Sequence, residues 1–168
     1  MTATAPMHLF DASPDWLAHT LANATADLPE IKTTLPDGTR ISRKAVGVLQ
    51  LLPPANRENP NQEALIMSAG IHGNETAPIE VLNALVSELL NGEWQLASPL
   101  LLILGNPPAM VAGERFLDVN LNRLLNGAHG KQEYVGLPEA ARAQFLEEAC
   151  RQFAMAHPQA LSHYDLRE

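Results

Sequence analysis

Cysteine is almost absent from this sequence, and Cys150 is the only one, which excludes an intramolecular disulfide. A chain without disulfides suits a reducing cytoplasm. The N-terminal stretch MTATAPMHLFDASPDW has no basic segment and no long apolar run, so it does not match a secretory signal. We therefore expect a cytoplasmic protein in which Cys150 is a buried or half-buried side chain of an amphipathic helix.

Basic residues and long apolar runs are scarce as well. The chain has 11 lysines and arginines against 19 aspartates and glutamates, with a formal net charge of −8. Because nucleic acids and anionic membranes bind clustered basic residues, neither partner is expected. The longest strongly apolar run, Pro99 to Gly105, is far too short to cross a bilayer. An acidic small molecule is compatible with this charge, because one or two arginines suffice to bind a carboxylate.

The first part of the chain, residues 1–62, predicts a short helix and a hairpin. Ser13 is the expected N-cap of a helix that runs to about Ala24, with Pro14 and Asp15 in its first turn. The turn sequence Pro36-Asp37-Gly38 separates strands rich in threonine, isoleucine and valine. A polar loop rich in proline and asparagine follows.

The second part, residues 63–168, predicts alternating strands and helices. Two compact apolar runs, EALIMSAG and LLLILG, are typical of buried strands. Apolar spacing of three and four predicts helices at 74–91, capped by Asn74, and at 138–156. The expected buried face of the last helix comprises Ala141, Phe145, Ala149 and Phe153. This order predicts one α/β domain, 1–168, with parallel strands flanked by helices.

His72 and Glu75 follow the first apolar strand, where the carboxyl ends of parallel strands collect ligands. A histidine nitrogen and a glutamate oxygen are suitable zinc donors, and the flanking glycines leave room for a tight turn. The first-turn position expected for Glu75 also favours a carboxylate for helix-dipole reasons alone. Spacing therefore leaves two interpretations open, a metal site and a polar turn.

The segment GERFLDVNLNRLLNG contains a second candidate site, Asn122 with Arg123. An arginine fork and a neighbouring amide bind a carboxylate with defined geometry. The alternative is a loop in which asparagine and aspartate serve turns and caps.

The segments SAGIHGNETAPIEVLNAL, LLILGNPPAM, DVNLNR and HYDL, in this order, resemble the succinylglutamate desuccinylase family. That family lies in the aspartoacylase-like branch of the zinc carboxypeptidase superfamily. The resemblance implies a zinc-carboxypeptidase-like (phosphorylase/hydrolase-like) α/β fold. It also implies zinc ligands at His72 and Glu75, and binding of the substrate carboxylate by Asn122 and Arg123.

The activity implied by the resemblance is zinc-dependent hydrolysis of N-succinyl-L-glutamate to succinate and L-glutamate, in the succinyltransferase pathway of arginine catabolism. Zinc would polarise the amide and activate a water molecule, with a glutamate as general base and then acid. Two alternatives stay open. One is a related N-acyl amino acid deacylase or carboxypeptidase, and the other is a non-catalytic binding module on the same scaffold.

The sequence departs from the family pattern after HYDL. The third zinc ligand, a histidine in the family, is replaced by Arg167, and the general-base glutamate has no counterpart within the 168 residues. We therefore expect a truncated domain that is incomplete at its C-terminus and holds zinc weakly or not at all. His129, His157 and His163 are expected to be ordinary surface or packing residues. An open strand edge at SHYDL predicts self-association.

Overall fold

The computed structural model describes residues 9–168 and forms a mixed sheet with helices on both faces. Residues 1–8, the beginning of the predicted N-terminal portion and of the stretch tested for a secretory signal, lie outside the described residues. The strands are β1 (Ile31–Thr34), β2 (Arg40–Ala45), β3 (Val48–Leu52), β4 (Ala64–Ala69), β5 (Leu100–Leu104) and β6 (Leu161–Asp165). The helices are α1 (Trp16–Ala22), α2 (Thr76–Leu90), α3 (Pro107–Ala112) and α4 (Pro138–Ala156).

The sheet has the strand order β1-β2-β3-β5-β4-β6. Strands β1, β2, β3 and β5 pair antiparallel, whereas β4 pairs parallel with both β5 and β6. The predicted parallel strand pairing and α/β class are thus confirmed for the second part of the chain. The carboxyl ends of β4, β5 and β6 consequently lie at the same end of the sheet, and the loops that follow these strands meet there.

Strand β5 shows how the sequence builds both faces of the core. All five of its residues are buried, and they alternate between two apolar clusters. Leu100, Leu102 and Leu104 pack with the cluster that contains α1 and α2 residues, and Leu101 and Ile103 pack with the cluster that contains α4 residues. A continuous apolar run is what a strand covered on both sides requires.

The N-terminal predictions need three corrections. Asp15, rather than Ser13, caps α1, because its Oδ1 accepts a hydrogen bond from the Ala18 amide at 2.7 Å. The helix ends at Ala22, before the predicted Ala24. The turn at Gly38 is confirmed, with φ of +91° and a bond from its N–H to the Leu35 carbonyl, but a second turn separates β2 from β3.

The buried face of α4 also differs from the prediction. Its buried apolar residues are Ala140, Ala143, Leu146 and Phe153. Phe145 is 37% exposed and Ala141 is also exposed. The predicted burial of Phe153 is confirmed and Ala149 is half-buried, whereas the predictions for Ala141 and Phe145 are wrong, because many alanines and charged residues give this helix little contrast between its faces.

Cys150 is half-buried on α4, as predicted, and its burial together with nearby Glu147 raises the pKa of the thiol to about 11. Strand β6 lies at the sheet edge, where Leu161 and Tyr164 are 40% and 53% exposed. Self-association through this edge stays a prediction. Across residues 9–168, none of the helices combines the length and the apolarity needed to span a membrane.

A buried polar contact beneath α1 makes stability depend on pH. Arg43 Nη1 lies 2.9 Å from His19 Nε2, and both side chains are almost fully buried. Because an arginine only donates, His19 Nε2 accepts and the ring is neutral. Burial first, and the Arg43 charge second, lower the pKa of His19 from its ordinary value of 6.5.

Replacing His19 with glutamine should make the chain less sensitive to acid. Below pH 6.5 the unfolded His19 takes up a proton that the folded one resists. Stability is therefore present above this value and is lost as the pH falls, by at most about 1.4 kcal/mol per pH unit. Urea midpoints at about pH 7.5 and about pH 5.5 should differ less for His19→Gln than for the parent chain. His157→Gln should act in the same direction, since burial also lowers the pKa of His157. Equal pH dependence in His19→Gln and the parent chain would mean that His19 does not contribute to the loss of stability in acid.

Candidate metal and carboxylate site

The loop between β4 and α2 presents His72 and Glu75 at the carboxyl edge of the parallel strands. His72 Nδ1 lies 2.8 Å from Glu75 Oε1, and their side chains are 2% and 13% exposed. The Glu75 amide donates to the His72 carbonyl at 3.3 Å, which closes the loop onto itself. The two residues are close in sequence, and the structure places His72 Nδ1 and Glu75 Oε1, the atoms that could bind a metal, next to each other.

The start of α2 is shifted from its predicted position. The helix begins at Thr76, and Glu75, rather than Asn74, occupies the N-cap position. Glu75 lies before the helix instead of within its first turn, and it makes no cap bond with its own side chain. The side chain of Glu168 performs that role, because its Oε1 accepts from the Ala77 amide at 2.9 Å. Glu75 is thereby free to turn towards His72.

Asn120 contacts the second nitrogen of the His72 ring. Asn120 Oδ1 accepts from the Asn122 amide at 3.1 Å, which identifies that atom as the oxygen. The same oxygen lies 3.3 Å from His72 Nε2 and accepts from it in the tautomer that carries its hydrogen on that nitrogen. In a neutral ring, the lone pair of Nδ1 then faces the Glu75 carboxylate.

In the tautomer with its hydrogen on Nε2, His72 Nδ1 and Glu75 Oε1, which lie 2.8 Å apart, can both bind one metal ion, and in the other tautomer Nδ1–H donates to the carboxylate. A histidine whose other nitrogen donates to an oxygen, beside a carboxylate, is the ligand arrangement common in zinc sites. The donor set of His72 and Glu75 therefore fits two positions of a zinc centre. Sequence reasoning did not assign this role to Asn120.

A third donor is not present within the described part of the chain. Residues 9–168 contain no group of three histidine, cysteine, aspartate or glutamate side chains arranged to hold a metal ion. The other candidate histidines make contacts away from Glu75. His129 lies 3.1 Å from Glu147, His157 stacks on Phe153 and His163 lies 2.9 Å from Ser68.

Arg167 lies close to the predicted substrate-binding pair. In β6, Asp165 pairs with Ser68, and the Leu166 amide donates to the Ser68 carbonyl at 2.8 Å. Continuing this register aligns Arg167 with Gly70, two residues before His72. Its Nη2 donates to Asn122 Oδ1 at 3.2 Å and its Nε to Asp165 Oδ2 at 2.5 Å.

Asn122 and Arg123 lie on the 3₁₀ turn Leu121–Arg123, where both are exposed. The turn is anchored from below by Leu121 and Leu124, which are fully buried. Asn120 opens it by accepting from the Asn122 amide. The cap of this turn, Asn120, thus contacts His72, and the exposed guanidinium of Arg123 follows three residues later.

Ser68, His163 and Asp165 form a polar cluster across β4 and β6 that the sequence did not indicate. Ser68 Oγ lies 2.9 Å from Asp165 Oδ1 and 2.9 Å from His163 Nε2. The single hydroxyl hydrogen goes to the carboxylate, so His163 Nε2–H donates to Oγ. This arrangement ties β4 and β6 together through their side chains.

Comparison with known proteins gives consistent matches. Residues 61–167 match the family described as the succinylglutamate desuccinylase/aspartoacylase catalytic domain. A Yersinia enterocolitica protein named succinylglutamate desuccinylase is 42% identical over 154 residues, which cover 91% of this chain and 44% of that protein. A protein of the same name from Serratia proteamaculans is 48% identical over 121 residues, 71% of this chain and 35% of that protein.

Solved structures lead to the same fold. The succinylglutamate desuccinylase of Vibrio parahaemolyticus superposes with a TM-score of 0.80 at 28% identity, covering 92% of this chain and 44% of that one. That of Chromobacterium violaceum gives 0.77 at 35% identity, covering 92% and 46%. The predicted zinc-carboxypeptidase-like fold class is confirmed. The chain spans less than half the length of these relatives.

Proposed function

This chain belongs to the succinylglutamate desuccinylase/aspartoacylase catalytic domain family, and from that membership we propose that it contributes to a zinc site that hydrolyses N-succinyl-L-glutamate. The products would be succinate and L-glutamate, and the reaction would belong to cytoplasmic arginine catabolism by the succinyltransferase route. The observation that supports this proposal best is the His72–Glu75 pair, in which His72 Nδ1 and Glu75 Oε1 lie 2.8 Å apart.

In this proposal, His72 Nδ1 and the Glu75 carboxylate hold the zinc ion. When bound, zinc supplies Lewis acidity towards the amide carbonyl and a water of lowered pKa. Asn120 keeps the ring in the tautomer that leaves Nδ1 available, by accepting the Nε2 hydrogen at 3.3 Å. Within the 168 residues, the third ligand and the general base that the family pattern requires have no counterpart.

Asn122 and Arg123 are proposed to bind a carboxylate of the substrate. The Asn122 oxygen is engaged by Arg167, so the amide nitrogen is the atom that it offers to an anion. Arg123 is exposed and makes no ion pair with another residue in 9–168, so its fork is available for a bidentate contact. An amide nitrogen beside a guanidinium matches the two oxygens of a carboxylate.

We expect Arg123→Ala to weaken binding of N-succinyl-L-glutamate to the chain by roughly tenfold, since a charge-assisted contact contributes about 1.5 kcal/mol or more. The measurement is an NMR titration that follows the Asn122 side-chain amide. The matched control is Arg151→Ala, because Arg151 is an exposed arginine on α4 that pairs with Glu148. Equal weakening by both substitutions would indicate non-specific charge attraction and contradict the assignment of Arg123.

The 168-residue chain itself should show little or no hydrolysis of N-succinyl-L-glutamate, because two zinc donors do not make a complete catalytic centre. Turnover that disappears on adding a chelator would contradict this expectation. The same titration with other N-acyl amino acids separates a desuccinylase from a related deacylase. The alternative of a non-catalytic binding module predicts that His72→Ala leaves the zinc content unchanged.

A further inference from the structure

A second concave site lies between α4, the loop after β5 and the segment after α1. This Glu139 cleft has a volume of about 570 Å³. Its lining residues include Val46, Asn106, Leu117, Glu139, Arg142 and Phe145. His72, Glu75, Asn122 and Arg123 are not among the described residues that line it. Its size and largely apolar wall are those of a small-molecule site.

Two buried polar groups in this cleft lack a hydrogen-bond partner among the described residues. Asn106 is 2% exposed, and its Oδ1 accepts from the Ala109 amide while its Nδ2 has no acceptor. Glu139 is 4% exposed, and its Oε1 accepts from the Asp118 amide at 2.9 Å while its Oε2 has no donor. Native structures rarely leave such atoms unpaired, so each indicates a missing partner.

The two unpaired atoms are complementary in kind. Asn106 Nδ2 offers hydrogens and Glu139 Oε2 accepts one, yet they do not bond to each other. Both residues line the cleft, so a ligand that pairs with both must present an acceptor to the asparagine and a donor to the glutamate. A primary carboxamide carries both functions on one carbon, whereas a carboxylate or an amine carries only one of them.

The charges around the cleft favour a neutral ligand. Its charged described residues are Asp27, Lys44, Asp118, Glu139 and Arg142. Two positive and three negative side chains leave no strong field of one sign. Arg142 is moreover engaged, because its Nε and Nη2 donate to the Gly105 and Leu104 carbonyls at 2.9 Å.

We propose that the Glu139 cleft binds a small neutral molecule that has an apolar body and a primary carboxamide. The carbonyl oxygen accepts from Asn106 Nδ2, and the amide nitrogen donates to Glu139 Oε2. The apolar body lies against Val46, Leu117 and Phe145. This site is independent of the proposed hydrolase centre.

The test is an NMR titration of the 168-residue chain with four ring-matched probes: benzamide, benzoate, benzylamine and toluene. Benzamide should shift the Asn106 side-chain amide and should bind at least about 3- to 10-fold more tightly than each other probe, since benzoate and benzylamine each lack one of the two bonds and toluene lacks both. No shifts would mean that the cleft holds water only, and equal binding of toluene would mean apolar contact only. Either result overturns the proposal.

Glu139→Gln should reverse this preference. The glutamine oxygen keeps the bond to the Asp118 amide, and its NH₂ then joins Asn106 as a second donor, so benzoate should become the preferred probe. If Glu139→Gln does not fold, Asn106→Asp is the second variant. It keeps an acceptor for the Ala109 amide and places two carboxylates in the cleft, so benzylamine should become preferred. An unchanged order of probes in the variant that folds overturns the proposal.

Discussion

Replacing Arg167 with histidine should raise the zinc affinity of the 168-residue chain by about a hundredfold or more. His72 and Glu75 supply two donors, and zinc sites in enzymes use three protein ligands with one open position. The register of β6 with β4 aligns residue 167 with Gly70, and Arg167 already contacts Asn122 at 3.2 Å. Because loss of an outer partner alone changes metal affinity roughly 10- to 100-fold, gain of a direct ligand should exceed that range.

Equilibrium dialysis against zinc at fixed pH measures this gain. The control is Arg167→Asn, which removes the guanidinium and its bonds to Asn122 and Asp165 without adding a strong zinc ligand. If Arg167→Asn gained as much affinity as Arg167→His, relief of positive charge rather than ligation would explain the effect. The proposed position of the third ligand would then be wrong.

Alanine at Gly73 should destabilise the fold by about 3 kcal/mol. A Cβ atom at this position would lie 2.2 Å from the Ala109 carbonyl carbon and 2.4 Å from the Met110 amide nitrogen, both of which are backbone atoms of α3. Side chains adapt to crowding, but a helix backbone cannot move away without losing its own bonds. The Gly73 amide also donates to the Arg115 carbonyl at 3.2 Å, so the loop is held on its other side.

Urea unfolding checks this prediction. Gly130→Ala is the matched control, because a Cβ there meets nothing within 4 Å. It should change the free energy of unfolding by no more than about 0.5 kcal/mol. A similar small change for Gly73→Ala would mean that the loop and α3 can separate freely. The close packing of the His72 loop against α3 would then contribute little to the free energy of unfolding.

The strands and long helices could be predicted because burial gives them strong patterns. Strand β5 is apolar at every position, and α2 shows a regular apolar spacing that matches its buried residues. Helix α3 was missed because its six residues begin with two prolines, which at sequence level indicate a turn. In the structure, the Asn106 side chain caps this stretch as a helix whose Pro107 and Ala109 are buried.

The candidate site was predictable in part. His72 and Glu75 are close in sequence, so their contact depends mostly on local geometry. The contact between His72 and Asn120 joins residues separated by 48 positions, and no local pattern reports it. The asparagine pair at 120 and 122 did carry a signal, since such spacing is typical of a side chain that accepts from the backbone two residues later. Metal binding by His72 and Glu75, and carboxylate binding by Asn122 and Arg123, stay predictions.

Zinc dialysis of Arg167→His in two further backgrounds determines whether His72 binds the metal ion. One carries His72→Ala, and the other carries His163→Ala, a histidine of the same sheet that contacts Ser68. The His163 variant should keep the gained affinity, and the His72 variant should fall to the level of Arg167→Asn. Retained affinity without His72, together with loss on removing His163, would contradict the assignment of His72 and Glu75 as the metal-binding pair.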